Sequence, residues 1–253
     1  MKYKLLVLDV DGTLVESREK GELNQVVIDS IRSAAIEIKI SLCTGRTQEH
    51  IRKIIETLGI DNSYHVIESG TKLLNPLGQL EYEKNLTRSD LHLILSTINN
   101  SVTSYGICES GTWKSSINDL NNGNVTVISL HSDSQQNTKE IIGRLKMIKG
   151  KYAYHVGSSW YSKEGAFISV THKQADKRFG LEYIQKKLGI KKEETIGVGD
   201  MPNDLPLFEV SGLKIAMGNA HSSLKKKADI IAPPLKNNGV AWIVDKYILN
   251  KSN

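Results

Sequence analysis

The sequence predicts an α/β fold in which a doubly wound parallel sheet is interrupted by an inserted α+β unit. Short apolar runs of strand length recur near both ends of the chain, helical patterns separate them, and the alternation breaks off between about residues 79 and 175. Strands covered on both faces read as continuous apolar runs. Strand, helix and strand in succession give parallel neighbours joined by right-handed crossovers.

Tyr3 to Leu8 is the first run and ends in two acids, Asp9 and Asp11. Although the start is basic and then apolar, it offers no small-residue cleavage site, so it reads as a buried strand and not a secretion signal. Val26 to Ala35 has helical spacing, Lys39 to Cys43 is a second strand, and Gln48 to Leu58 is a helix closed by Gly59. His65 to Ile67 is a third strand. The pattern then changes to a helix over Ser89 to Asn99 and strand-like runs near Val102 to Cys108, Thr112 to Ser116 and Val125 to Leu130. A second helix over Thr138 to Ile148 precedes strand-like runs at Tyr152 to Val156 and Phe167 to Val170. Between them Asn118 to Asn124 is dense in turn formers and reads as an exposed loop. The original alternation resumes with a helix over Gly180 to Leu188, a strand at Thr195 to Val198, a helix at Leu205 to Val210 and a strand at Leu213 to Ala216. The expected organisation is a core of residues 1–78 and 176–253 and an inserted domain of residues 79–175, with hinges near Gly78 and Ala175.

Composition narrows the function. With 39% hydrophobic and 24% charged residues the chain is of ordinary globular type, and no apolar stretch approaches the roughly 20 residues that span a bilayer. Cys43 and Cys108 stand far apart outside any CxxC pattern, so a disulfide framework and a thiolate metal site are both unsupported and a cytoplasmic location is expected. The net charge is +5, but the lysines are scattered and the densest run, Lys225 to Lys227, is short. That distribution suits a solvated surface or a mild field for anionic esters, not a nucleic-acid partner.

Four stretches can carry chemistry. Asp9-Val10-Asp11-Gly12-Thr13 closes the first strand, at the edge where doubly wound sheets bind ligands. A sharp turn at Gly12 can aim the two carboxylates apart, one as nucleophile and one as general acid and base; the alternative is a pair of turn formers or helix caps. Cys43-Thr44-Gly45-Arg46 closes the second strand, where a hydroxyl, backbone N–H groups and a guanidinium can cradle a phosphate, or Thr44 can simply cap the helix that follows. In Gly199-Asp200-Met201-Pro202-Asn203-Asp204, hard oxygen donors suit Mg²⁺, with Asp200 as direct ligand, Asp204 ligating through water or orienting the site, and Asn203 donating to phosphate or water. A turn and helix cap is the alternative there too. Lys177, with Lys173, Arg178 and Lys186 as competitors, can neutralise the acids and the charge on phosphorus.

Together DVDGT, CTGR, a lysine before an amphipathic helix and GVGDMPND, in that order, resemble the four motifs of the haloacid dehalogenase superfamily. The segment AMGNAHSSLKKKADIIAPPLKNNGVAWIV resembles its Cof-type, sucrose-phosphate and phosphoglycolate phosphatases. The resemblance covers about Lys4 to Thr71 and Lys177 to Val244. It implies a Rossmann-like core with a large cap, Asp9 as nucleophile and Mg²⁺ ligand, and Asp11 as acid and base with its backbone carbonyl at the metal. It further implies Thr44 on the phosphoryl group, Lys177 as the third-motif lysine, and Asp200 on Mg²⁺ with Asp204 in support. The substrate-binding set is then Thr44, Gly45, Arg46, Lys177 and Asn203, and the partner is a small phosphate ester; the sequence does not decide between monomer and homodimer. Two departures stand out: Lys177-Arg178 where relatives have lysine-glycine, and Ser69-Gly70 where they have asparagine-glycine. In the inserted unit Trp113, Lys114, His155 and Trp160 are candidates for a polar substrate or for plain core. The function expected is a Mg²⁺-dependent phosphatase acting through a phospho-aspartate, with a sugar phosphomutase or a non-catalytic phospholigand-binding protein as alternatives.

Overall fold

The computed structural model of the chain describes residues 2–16, 22–98, 101–121, 123–148, 152–158 and 164–250. The chain divides into two compact units, Met1–Tyr82 with Lys177–Asn253, and Glu83–Asp176. The first unit begins with β1 (Leu5–Leu8), α1 (Gln25–Glu37), β2 (Lys39–Leu42), α2 (Gln48–Leu58), β3 (His65–Ile67), β4 (Lys72–Leu74) and β5 (Leu80–Glu83). The second contains α3 (Arg88–Ile98), β6 (Ser104–Glu109), β7 (Thr112–Lys114), β8 (Val125–Ser132), α4 (Gln135–Met147), β9 (Tyr152–Ser158) and β10 (Ala166–His172). The chain then returns to the first unit through α5 (Lys177–Leu188), β11 (Thr195–Gly199), α6 (Leu205–Glu209), β12 (Leu213–Ala216), α7 (Ser222–Lys225), β13 (Ile230–Ile231) and α8 (Gly239–Tyr247).

The first unit is an α/β fold around a five-stranded parallel sheet of order β13-β12-β11-β1-β2. β1 lies between β2 and β11, so the direction of winding reverses there and its C-terminal end is the crevice of the sheet. All four residues of β1 are buried. Leu6 and Leu8 pack in one apolar cluster with residues of α1 and α8. Leu5 and Val7 pack in another with Leu181 and Ile184 of α5 and Leu207 of α6. Complete burial of each such side chain stabilises by about 1.5–3 kcal/mol, which fixes where Asp9 is delivered. Asn24 caps α1 by accepting the Val26 N–H, and Gly59 ends α2 in the left-handed region at φ 65°.

Sequence pattern and structure differ at β3. It lies in a three-stranded sheet of order β3-β4-β5, antiparallel to β4, and among the described residues its strand pairing with the parallel sheet is a single bridge from Val66 to Cys43. Three apolar residues carry no mark of which sheet they join. Gly78, placed near a hinge by the sequence, lies between β4 and β5 at φ 70°, and its N–H donates to Asn75.

His65 sits at this junction, 2% exposed. The Leu42 N–H donates to its Nδ1 at 3.1 Å and its Nε2 donates to the Ile60 carbonyl at 3.0 Å, so the ring is held in one neutral tautomer. Burial lowers its pKa to about 4 from 6.5. A histidine held neutral contributes stability that is complete above pH 6.5 and is lost as pH falls towards 4, about 3 kcal/mol in all. Urea unfolding of the wild type and His65→Gln should show a stability gap that narrows between pH 7 and 4; a gap that stays constant would contradict this assignment.

The second unit is an antiparallel sheet of order β7-β6-β8-β10-β9, and its apolar face packs with α3 and α4 through Leu91, Ile94, Ile141 and Leu145. The Glu109 carboxylate accepts the N–H groups of Asn121 and Gly123, tying down the exposed turn-rich loop. No helix among the described residues is long and apolar enough to cross a membrane.

Candidate active site

Asp9 follows β1, Thr44 lies just beyond β2 and Asp200 follows β11, so three neighbouring parallel strands deliver them to one edge. The Asp9 N–H donates to the Val198 carbonyl at 3.0 Å, which continues the β1 to β11 ladder past the last apolar residue. Lys177, the first residue of α5, is 3% exposed. Its Nζ donates to Asp9 Oδ1 at 2.6 Å and to Asp204 Oδ1 at 2.5 Å. The competing cations do not share this place: Lys173 and Lys186 are exposed, and Arg178 reaches Glu209 at 3.6 Å.

Asp9, Asp200 and Asp204 form a buried cluster in which one oxygen from each lies within 4.8 Å of the others. Burial is the largest effect on Asp9 and raises its carboxyl to about 7, opposed by Lys177 and reinforced by Asp204. Asp200 is raised to about 9 by burial and by its carboxylate neighbours, Asp9 first. Burial alone would depress Lys177, yet Asp204 and Asp9 hold it above the ordinary lysine value. One ammonium faces three carboxylates. Asp200 Oδ1 is buried with no hydrogen-bond partner, so it presents a hard carboxyl oxygen to the interior. Clustered carboxyl groups whose ionisation burial and mutual repulsion oppose, with one oxygen orphaned, fit a divalent cation of the Mg²⁺ type, which would offset that repulsion.

The two oxygens of Asp204 are committed differently. Oδ1 takes Lys177, and Oδ2 accepts the N–H groups of Asp200 and Met201, each at 3.0 Å. Of the two roles open to it from sequence, this geometry suits orienting the loop. Asn203 Oδ1 is buried without a partner.

Gly12 turns the chain at φ 82°, and a Cβ there would lie 2.1 Å from Asp200 Oδ2. Beyond β1 the Asp11 carboxylate engages Arg46, whose Nε donates to Oδ2 at 3.1 Å and Nη2 to Oδ1 at 2.8 Å. Two carboxylates two residues apart thus occupy different settings, one in the acidic cluster on an ammonium and one on a guanidinium fork. The Arg46 fork, assigned to phosphate from sequence, is directed at Asp11 in the structure.

Thr44 is fully buried, and its Oγ1 accepts the Arg46 N–H at 3.2 Å across the half-buried Gly45. It does not cap α2, which begins at Gln48 after Thr47. With its acceptor side used locally, the hydroxyl proton is available to a ligand.

The residues after β3 brace this loop. The Val66 carbonyl accepts the Thr44 N–H at 3.0 Å, while the Ser69 N–H donates to Thr44 at 3.0 Å and the Glu68 N–H to Arg46 at 2.9 Å. To reach those carbonyls Glu68, Ser69 and Gly70 run left-handed at φ 48°, 61° and 98°. Each non-glycine residue there costs about 1–2 kcal/mol. Asparagine tolerates that region better than serine, which gives a physical reason for the asparagine-glycine of the resembled family.

Asn219 was not singled out by the sequence. Its Nδ2 donates to the Gly12 carbonyl at 2.8 Å and its Oδ1 accepts the Leu235 N–H at 2.9 Å, while the His221 N–H donates to the Asp200 carbonyl at 2.7 Å. Its one trace in the sequence is its place in AMGNA, within the segment that carries the resemblance. Of the candidates in the second unit, Trp113 on β7 lies against Gly106 of β6 and His155 on β9 is paired with Ser169 of β10; Lys114 pairs with Ile107. Trp160 lies outside the described residues.

A model of the haloacid dehalogenase-like hydrolases matches residues 6–244. Phosphoglycolate phosphatase 1 of Saccharolobus solfataricus is 28% identical over 246 residues, spanning 97% of this chain and 96% of that one. The 5-amino-6-(5-phospho-D-ribitylamino)uracil phosphatase YcsE of Bacillus subtilis is 26% identical over 258 residues, 97% of this chain and 96% of that one. Among solved structures, a haloacid dehalogenase-like hydrolase from B. subtilis has a TM-score of 0.84 at 20% identity, covering 96% of this chain and 99% of that one.

Proposed function

Because this chain belongs to the haloacid dehalogenase-like hydrolases, we propose that it is a Mg²⁺-dependent phosphatase that hydrolyses a small phosphate monoester through a phospho-aspartate on Asp9. The observation that carries the reading is the split between Asp9, held by Lys177 in the acidic cluster, and Asp11, turned away onto Arg46. Binding alone needs no second carboxylate, whereas nucleophilic catalysis needs a separate acid and base.

Asp9 Oδ1 is held by Lys177, leaving Oδ2 to attack phosphorus as the ester P–O bond breaks. Asp11 gives a proton to the departing alkoxide, then takes one from the water that releases inorganic phosphate from Asp9. To receive that proton Asp11 gives up part of its fork to Arg46. The Thr44 hydroxyl and the Gly45 N–H orient the phosphoryl oxygens, Asn203 adds a further polar contact, and Lys177 balances their charge. Asp9 and Asp200 would hold the Mg²⁺, with the Asp11 backbone carbonyl and with Asp204 in support; when bound it supplies charge stabilisation to the phosphoryl group. In this reading residues 83–176 form the cap. The relatives' phosphoglycolate and ribitylaminouracil phosphate substrates, both polar monoesters, support this substrate class.

The test is phosphate release from phosphoglycolate, sugar phosphates and nucleotides with Mg²⁺ and with excess chelator. Chelation should abolish release, and Asp11→Asn should lose on the order of 10²- to 10⁴-fold as a missing acid and base while remaining folded. Isomerised sugar phosphate without free phosphate would make the protein a mutase, and Asp11→Asn at wild-type rate would remove Asp11 from the mechanism.

A further inference from the structure

Resting on the reading of residues 44–46 as the phosphate-contacting loop, we propose that the buried Glu68–Lys72 ion pair is a positioning pair for that loop. Lys72 Nζ lies 3.0 Å from Glu68 Oε1, and the two side chains are 10% and 2% exposed. A buried ion pair adds little net stability over apolar residues of the same shape, because desolvation offsets the attraction. The same corner also holds two consecutive non-glycine residues in the left-handed region. Two unfavourable features coincide within the five residues 68–72, and the product of both is one arrangement of N–H groups.

That arrangement faces the loop. The Glu68 N–H holds the Arg46 carbonyl and the Ser69 N–H holds the Thr44 carbonyl. Thr44 is therefore fixed at both its N–H, by Val66, and its carbonyl, by Ser69, while its hydroxyl accepts from Arg46. Were the corner to relax to ordinary backbone angles, both carbonyls would lose their donors, and the Thr44 hydroxyl and the Gly45 N–H would swing with them. The corner is clamped from other sides too: the Thr71 N–H and Oγ1 both donate to the Glu68 carbonyl, and the Tyr82 hydroxyl donates to Gly70. Strain survives only where the surroundings over-determine it, and the Glu68–Lys72 pair is the charged part of that determination.

The experiment separates positioning from stability. Glu68→Gln/Lys72→Met removes the pair as a unit and leaves no unpaired buried charge, so thermal unfolding should move little. Binding of inorganic phosphate in the presence of Mg²⁺, measured by calorimetry, should weaken on the order of tenfold, and the Glu68 and Ser69 amides should lose hydrogen-exchange protection. Adding Ser69→Gly, which adopts the left-handed region without penalty, should bring phosphate affinity back to within about threefold of wild type. Should the double variant not fold, Lys72→Gln, whose remaining carboxyl can take up a proton, replaces it with the same expectations. Unchanged phosphate affinity, or a loss that Ser69→Gly does not rescue, overturns the proposal. Wild-type protein that binds no phosphate would instead count against the proposed function, and the exchange of the two amides would then decide this inference alone.

Discussion

Asp9→Asn is expected to lower turnover by on the order of 10⁴-fold or more, because an amide oxygen cannot form the acyl phosphate. The substitution is isosteric and leaves the strand beneath it untouched. It also takes one negative charge from a cluster of three buried carboxylates facing a single ammonium, so unfolding stability should hold. That pairing of outcomes is diagnostic. If the residue were a strand-end turn former, the variant would lose neither activity nor stability; if it were only half of a structural ion pair with Lys177, stability would fall with activity. Steady-state release of phosphate and thermal unfolding on one preparation distinguish the three, and turnover within tenfold of wild type would end the nucleophile assignment.

Gly12→Ala should damage turnover without removing any reactive group. A Cβ at this position would lie 2.1 Å from Asp200 Oδ2, 2.5 Å from its Cγ and 2.9 Å from Oδ1. Those atoms belong to a short, buried side chain, so Asp200 must shift by about 1 Å, a displacement that costs on the order of 10²-fold in rate. The left-handed backbone at φ 82° adds a stability loss of about 1–2 kcal/mol. Gly111→Ala is the matched control: its φ is 86°, and nothing lies within 4 Å of the Cβ it would carry. It should show the stability loss with activity retained. Equal activity losses in the two variants would mean that contact with Asp200 is not the cause.

Much of the site was legible in the sequence because its chemistry demands particular groups at strand ends. Asp9, Thr44 and Asp200 are read that way, as polar residues abruptly closing apolar runs. Lys177 was not; four cations crowd that stretch, and only burial against Asp9 and Asp204 separates it from Lys173, Arg178 and Lys186. Arg46 was assigned to phosphate because a guanidinium suits it, but its partner in the structure is a carboxylate 35 residues earlier, a contact with no local trace. Asn219 and the Glu68–Lys72 corner act through backbone carbonyls, and such roles leave no compositional signature. The fold shows the same limit. Helices with clear apolar stripes, such as α2, were read to the residue. β4, β5 and β13 span only two to four residues each, too few for a period to register.

The central strand of the parallel sheet has its two neighbours at very different distances along the chain. β2 follows β1 after one helix, but β11 begins only at Thr195, and the ammonium that balances Asp9 is 168 residues away. On the ribosome, therefore, β1 emerges with one flank unpaired and its terminal carboxylate unneutralised, and the contiguous second unit is fully synthesised before that flank can be filled. Closing so long a loop is an entropic cost deferred until β11 has been made. The assembled cluster thus needs both halves of the first unit: any product ending before α5 would carry Asp9 but neither its counter-ion nor the strand that completes its edge.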